Sequence, residues 1–188
     1  MANIIFAGVG GQGLVLTTRV VVEAAFDAGL DVSGSDVYGL AQRGGTVWGM
    51  VRIGHKYFSP LVPKGQVDYL VAMEQLEGLR WLGHLAPKAK AILNRYQAYP
   101  TPILLEKEDY PEDIPGIFQK AGHQVQDIDA PGLAKELGNI RLANTILVGA
   151  LSKHLEIPEE SWLKAISANV PPKTIDLNIK AFQEARKL

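Results

Sequence analysis

Cysteine is absent from this 188-residue chain. That excludes disulfides, thiolate zinc sites, cysteine nucleophiles and any iron–sulfur cluster held by the chain alone. Neither sign of charge dominates: 19 Lys+Arg stand against 20 Asp+Glu, leaving a formal net charge of -1. With no basic field, neither nucleic acid nor an anionic membrane is an expected partner. No window reaches the ~20 apolar residues of a membrane span, and the start Met1-Ala-Asn-Ile-Ile-Phe lacks the basic region of a secretory signal. The serine-hydrolase elbow, the Gly-Lys-Ser/Thr phosphate loop and the zinc-protease helix motif are missing as well. What remains is 47% hydrophobic, long enough to bury roughly 70% of the surface its unfolded chain exposes. The expectation is one cytoplasmic domain spanning residues 1–188.

Short apolar runs alternate with helix-period segments. Strands are predicted at residues 4–7, 30–33, 46–53, 69–72, 91–94 and 124–128. Gly54 with His55-Lys56 suggests a turn into Tyr57-Phe58. A helix over residues 12–28 places Leu16, Val20, Ala24 and Ala28 on one face, and Gly29 stops it. Further helices are read at 76–82, 114–121, 132–137, 139–154, from Pro158 to the Pro171-Pro172 pair, and on the stripe Ile175, Ile179, Phe182. Prolines at 100, 102, 111 and 115 punctuate the middle into a loop with an edge strand at 103–105. This alternation favours a three-layer α/β sandwich with a largely parallel or mixed sheet and a Rossmann-like first βα unit.

The stretch richest in chemistry is Gly8-Val9-Gly10-Gly11-Gln12-Gly13, a G-x-G-x-x-G directly after a strand and opening a helix. Glycines there let the backbone turn tightly and approach a phosphate, whose charge meets free N–H groups and the helix dipole. The alternative is a tight strand-to-helix turn that binds nothing. The acid expected ~20 residues on in dinucleotide folds would be Asp36, but it lies in a polar, glycine-containing run, which weakens a dehydrogenase reading. A second loop, Ser35-Asp36-Val37-Tyr38-Gly39-Leu40-Ala41-Gln42-Arg43-Gly44-Gly45-Thr46, surrounds one arginine with glycines. Arg43 either offers its planar fork to an anion or pins the loop to backbone carbonyls.

Together the two loops closely resemble the gamma-type subunits of 2-oxoacid:ferredoxin oxidoreductases, with the nearest likeness in the beta subunit of the indolepyruvate branch. Ser59-Pro60-Leu61-Val62-Pro63 with Gly65, Asp68-Tyr69-Leu70-Val71-Ala72-Met73-Glu74 with Leu76-Glu77, the helix containing Asn144 and the segment from Asn178 to Phe182 extend the resemblance over nearly the whole chain. Asp36 stands where the family has Glu, and Tyr38 where the indolepyruvate branch often has His; both bear on which oxoacid is used. The resemblance implies a subunit that is inactive alone. Thiamine diphosphate, Mg and [4Fe-4S] would belong to a partner subunit that passes electrons to ferredoxin, with coenzyme A at the shared interface. Gly8, Gly10, Gly11, Gln12, Gly13, Tyr38, Gln42, Arg43, Gly44 and Gly45 are then the cofactor-facing candidates, and no residue is assigned as catalytic or metal-binding. A free-standing dinucleotide-binding oxidoreductase and a purely structural scaffold subunit stand as alternatives. An open sheet crevice would also leave room for a homodimer when the chain is alone.

Elsewhere the residues point to structure. His55, His84, His123 and His154 share no metal-ligand spacing. Glu74 and Glu77, three apart at a helix start, either accept hydrogen bonds at an active-site rim or favour the helix dipole, and the second role is preferred. Asn144 lies amid apolar neighbours and needs a polar partner. Trp48 reads as core or interface.

Overall fold

Ile4, Ile5, Phe6 and Ala7 are all fully buried. Four consecutive buried residues fit a strand covered on both faces, and they lie within β1 (Ala2–Val9). The computed structural model describes residues 1–37, 45–54, 59–99 and 109–188. Within them β1 is followed by β2 (Asp31–Val37), β3 (Thr46–Gly54), β4 (Val67–Ala72), β5 (Leu85–Asn94) and β6 (Gln124–Ile128). They form one sheet in the order β2-β3-β1-β4-β5-β6. β1, β4, β5 and β6 pair in parallel, whereas β3 runs antiparallel to both β1 and β2. The sheet is therefore mixed, with only β3 reversed.

Helices cover both faces, giving the expected α/β sandwich. On one side pack α1 (Leu14–Asp27), α4 (Ala130–Glu136), α5 (Ala143–Ser152), α6 (Glu159–Asn169) and α7 (Ile175–Ala185). Their core includes Trp162 and Phe182, with ring centroids 5.9 Å apart. Gly149 permits the closest approach there: a Cβ at that position would lie 2.6 Å from the Phe182 carbonyl oxygen and 2.7 Å from Ala185 Cβ. The other face is thinner. It carries α2 (Gln75–Leu79) and α3 (Ile114–Lys120), with Phe118 of α3 in one buried cluster with Ile5, Leu70 and Leu93 of the sheet, and Trp48 and Trp81 packed 5.1 Å apart at its margin.

Most of the expected elements are present with shifted ends. α1 begins at Leu14 because Gly13 is left-handed (φ 76°) and cannot be a helical residue. The helix expected over 139–154 divides into a 3-10 turn at Ile140–Leu142 and α5. The turn at 55–58 and the edge strand at 103–105 lie outside the described residues.

Candidate functional site

Beyond the carboxyl ends of β1, β4 and β5 lies a cavity of ≈ 700 Å³. Open α/β sheets bind ligands in this crevice, because there the loops leave the strands and helix N-termini converge. The glycine loop forms one wall. Gly11 (φ 98°) and Gly13 (φ 76°) turn it through left-handed backbone. Gln12 is a clamp: its Oε1 accepts from Val9 N–H at 2.8 Å, and its Nε2 donates to the Met73 carbonyl at 3.3 Å at the end of β4. Gly8 has no room for a side chain, since a Cβ there would sit 2.7 Å from Gln12 Oε1 and 2.9 Å from Met73 Cβ. Gly10 N–H donates to the Gly45 carbonyl at 2.8 Å, which ties the second glycine loop to the first. This contact follows from the reversed strand: β3 starts beside the end of β1, with Thr46 opposite Val9.

Gly11, Gln12 and Gly13 line the cavity, while Gly8, Gly10 and Gly45 support it from behind. Tyr38, Gln42, Arg43 and Gly44 fall outside the described residues.

The opposite wall comes from distant sequence. Asn139, Arg141 and Asn144 stand at the start of α5, and Thr174 and Asn178 at the start of α7. Asn144 Oδ1 accepts from Thr145 N–H at 2.9 Å, and its Nδ2 sits 2.7 Å from the place a Cβ on Gly13 would occupy. The polar partner that Asn144 required is thus its own helix start, and its side chain seals α5 against α1. Asn178 accepts from Thr145 Oγ1 at 2.7 Å and donates to the Thr174 carbonyl at 2.8 Å, joining α5 to α7. Helices α1, α5 and α7 all begin at this cavity without a side-chain N-cap. The dipole of each helix favours negative charge there, but α5 and α7 follow directly on 3-10 turns. Ala143 N–H donates to the Ile140 carbonyl, Ile175 N–H to the Pro172 carbonyl and Thr145 N–H to Asn144 Oδ1, so part of the first-turn donor set is already used at those two starts. Arg141 is the only charged residue in the described lining, and it forms no ion pair among the described residues. Leu16, Leu147 and Val170 add apolar wall. An anion bearing an apolar segment matches these surroundings.

Sequence reasoning singled out Asn144 and the Asn178 segment but passed over Asn94, Asn139, Arg141 and Thr174. Each of these stands at a strand end or helix start, and that position was the available signal.

Glu74 lies just beyond the end of β4 but does not line the cavity. It is 1% exposed; its Oε2 caps α2 by accepting from Glu77 N–H at 2.7 Å, and its Oε1 accepts from Tyr110 Oη at 2.7 Å and Ala98 N–H at 3.1 Å. The helix-start role is borne out, and the same carboxylate also anchors the segment after β5. Burial first, and then this bond, hold the Tyr110 phenol well above its usual range.

At the amino ends of the strands a second, open cleft of ≈ 360 Å³ brings together Asp68, Lys88, Lys90, Gln124 and His154. It opens where the β4–β5 register shifts between Val67 and Tyr69. Lys88 adopts φ 62° there, the only non-glycine positive φ among the described residues. His154 stacks on Tyr69 with centroids 6.1 Å apart. Burial, and then the charges of Lys90 and Lys153, bring its pKa down to about 4. Among the described residues, no cluster of three or more His, Asp or Glu could hold a metal, and no helix is long and apolar enough to cross a membrane.

Comparison with known proteins is consistent along the whole chain. The family described as pyruvate ferredoxin/flavodoxin oxidoreductase matches residues 3–188. Indolepyruvate oxidoreductase subunit IorB of Thermococcus kodakarensis is 35% identical over 186 residues, covering 96% of this chain and 92% of that protein. Pyruvate synthase subunit PorC of Methanothermobacter thermautotrophicus is 27% identical over 198 residues, covering 100% of this chain and 98% of that protein. Among solved structures, the keto/oxoacid ferredoxin oxidoreductase gamma subunit of Geobacter sulfurreducens superposes with a TM-score of 0.73 at 25% identity, covering 100% of this chain and 97% of that one.

Proposed function

The chain belongs to the pyruvate ferredoxin/flavodoxin oxidoreductase family, and from that premise we propose that it is the cluster-free subunit of an indolepyruvate-type ferredoxin oxidoreductase whose carboxyl-end cavity receives coenzyme A. The greater identity to the indolepyruvate subunit than to the pyruvate subunit, 35% against 27%, favours an aryl 2-oxoacid. The reaction is oxidative decarboxylation of that oxoacid, giving the acyl-coenzyme A, carbon dioxide and reduced ferredoxin. When bound, thiamine diphosphate with Mg and [4Fe-4S] in the partner subunit supply the carbanion and electron chemistry. A chain without cysteine holds no such cluster by itself.

The observation that carries the coenzyme A reading is the make-up of the cavity. The starts of α1, α5 and α7 and the side chain of Arg141 line it, apolar walls adjoin them, and no carboxylate lines it among the described residues. A polyphosphate anion is held there by backbone dipoles and a guanidinium fork, while leucine and valine walls take a flexible arm. Arg43, on the second glycine loop, is the next cation we assign to the anion. Facing the partner, this chain positions the acyl acceptor without supplying a reacting group.

Co-purification from the native source tests the assignment. Recovery with a larger, cysteine-rich, thiamine-dependent chain is expected, and the pair should reduce ferredoxin with indolepyruvate and coenzyme A faster than with pyruvate. Saturable NAD binding and turnover by the isolated chain would overturn it in favour of a free-standing oxidoreductase.

A further inference from the structure

Tyr96 follows the end of β5 and lines the cavity, yet it is 43% exposed. Ile140, from the 3-10 turn that leads into α5, lines the same cavity and is 67% exposed. Two large apolar side chains left open on one cavity mark a place where a ligand supplies the cover. Among the described residues the Tyr96 ring pairs with no other aromatic ring and its hydroxyl has no hydrogen-bond partner. Its backbone, in contrast, is fixed. Tyr96 N–H donates to the Asn94 carbonyl at 2.7 Å and its carbonyl accepts from Gln75 N–H at 3.3 Å. Two residues on, Ala98 N–H donates to Glu74 Oε1 at 3.1 Å. The chain is set in place while the ring it carries is left unpartnered.

The turn bearing Ile140 is held as well: Arg141 N–H donates to Asn139 Oδ1 at 3.1 Å, and Leu142 N–H donates to the Asn139 carbonyl at 3.1 Å. It offers one cavity an apolar side chain and, at the next residue, the Arg141 cation. A ligand that suits this rim carries a flat apolar ring close to an anionic group. Resting on the coenzyme A reading of this cavity, we infer that Tyr96 stacks on the adenine ring, with Ile140 as a second apolar contact and Arg141 on the neighbouring ribose phosphate. The nucleotide end suits the site better than the thiol end. The described lining has no histidine, lysine or carboxylate to act on a reacting sulfur, whereas stacking needs only a π-face. An aryl 2-oxoacid also joins a ring to an anion, and the probes must tell the two rings apart.

Titration of the full chain with coenzyme A, with phosphopantetheine, which lacks the adenosine, and with indolepyruvate tests this. Tyr96→Leu should weaken coenzyme A about tenfold, the scale of one base–aromatic stack, and leave phosphopantetheine within about twofold. Tyr96→Phe keeps the π-face and should hold coenzyme A within about twofold of the unaltered chain. Etheno-coenzyme A, whose modified adenine fluoresces, should be quenched by the unaltered chain and by Tyr96→Phe but not by Tyr96→Leu. Binding to the unaltered chain without quenching would overturn the stack with no variant needed. Equal loss of coenzyme A and phosphopantetheine, or unchanged coenzyme A affinity, in a folded Tyr96→Leu chain would do the same. Loss confined to indolepyruvate would overturn the adenine assignment in favour of the oxoacid ring. Failure of the unaltered chain to bind coenzyme A would instead overturn the coenzyme A reading of the cavity.

Discussion

At the carboxyl ends of the parallel strands the described cavity lining contains one charged side chain, Arg141, whereas at the amino ends the cleft gathers Asp68, Lys88, Lys90 and His154. Both ends belong to one sheet and offer hydrogen-bonding groups, but their polarity has different origins. At the carboxyl end it comes from the starts of α1, α5 and α7, with glycines letting the chain approach, and from neutral side chains such as Gln12, Asn94, Asn144 and Asn178. At the amino end it comes from side chains, one of which sits on left-handed backbone that lysine rarely adopts. Backbone polarity is insensitive to most side-chain replacements and highly sensitive to loss of a glycine. Side-chain polarity has the reverse vulnerability.

The harshest test of this contrast is Gly13→Val. The new side chain meets Asn144 Nδ2 and must adopt φ 76°. A loss of about 1–3 kcal/mol in stability is expected from the backbone strain, together with more than tenfold weaker coenzyme A binding, read by chemical denaturation and calorimetry. Normal binding would show that α1 is not the source of the positive field. Arg141→Ala should come next, lowering coenzyme A affinity by about tenfold as one charge-assisted bond is lost, with stability unchanged within about 0.5 kcal/mol because the residue is exposed.

At the other end the expected effects are smaller and leave ligand affinity alone. Lys88→Gly relieves left-handed strain of about 1–2 kcal/mol against a glycine entropy cost of about 0.5–1 kcal/mol, so a net gain of about 0–1.5 kcal/mol should appear in a denaturant midpoint. His154 sets a pH dependence. Its folded pKa of about 4 lies below the ordinary 6.5, so between those values the unfolded chain binds the extra proton and stability falls as pH falls. His154→Gln should flatten that slope, measured as denaturant midpoints from pH 7 down to pH 4. A slope that persists unchanged would move its origin to other groups.

The strands and helices were largely legible because each apolar run has the period of its element, and Gly13, Gly29 and Pro158 mark helix boundaries. The direction of β3 was not. The β-branched and aromatic residues Thr46, Val47, Trp48, Val51 and Ile53 specify a strand, but pairing direction depends on which neighbour it meets. The glycine loop was legible as a turn toward a ligand, yet the use of Gln12 as an internal clamp depends on Met73, 61 residues away. Asn94, Arg141 and Thr174 belong to different elements, and only the convergence of strand and helix ends brings them together.

The described cavity lining has one further property. It contains no histidine, lysine, aspartate or glutamate, only Arg141 and the phenol of Tyr96 among its ionisable groups. The described lining therefore lacks the imidazole and carboxylate groups through which many anion sites respond to pH. If the proposed guest is captured here, pH sensitivity of that capture is expected to come from the guest's own phosphates or from a partner subunit rather than from these walls.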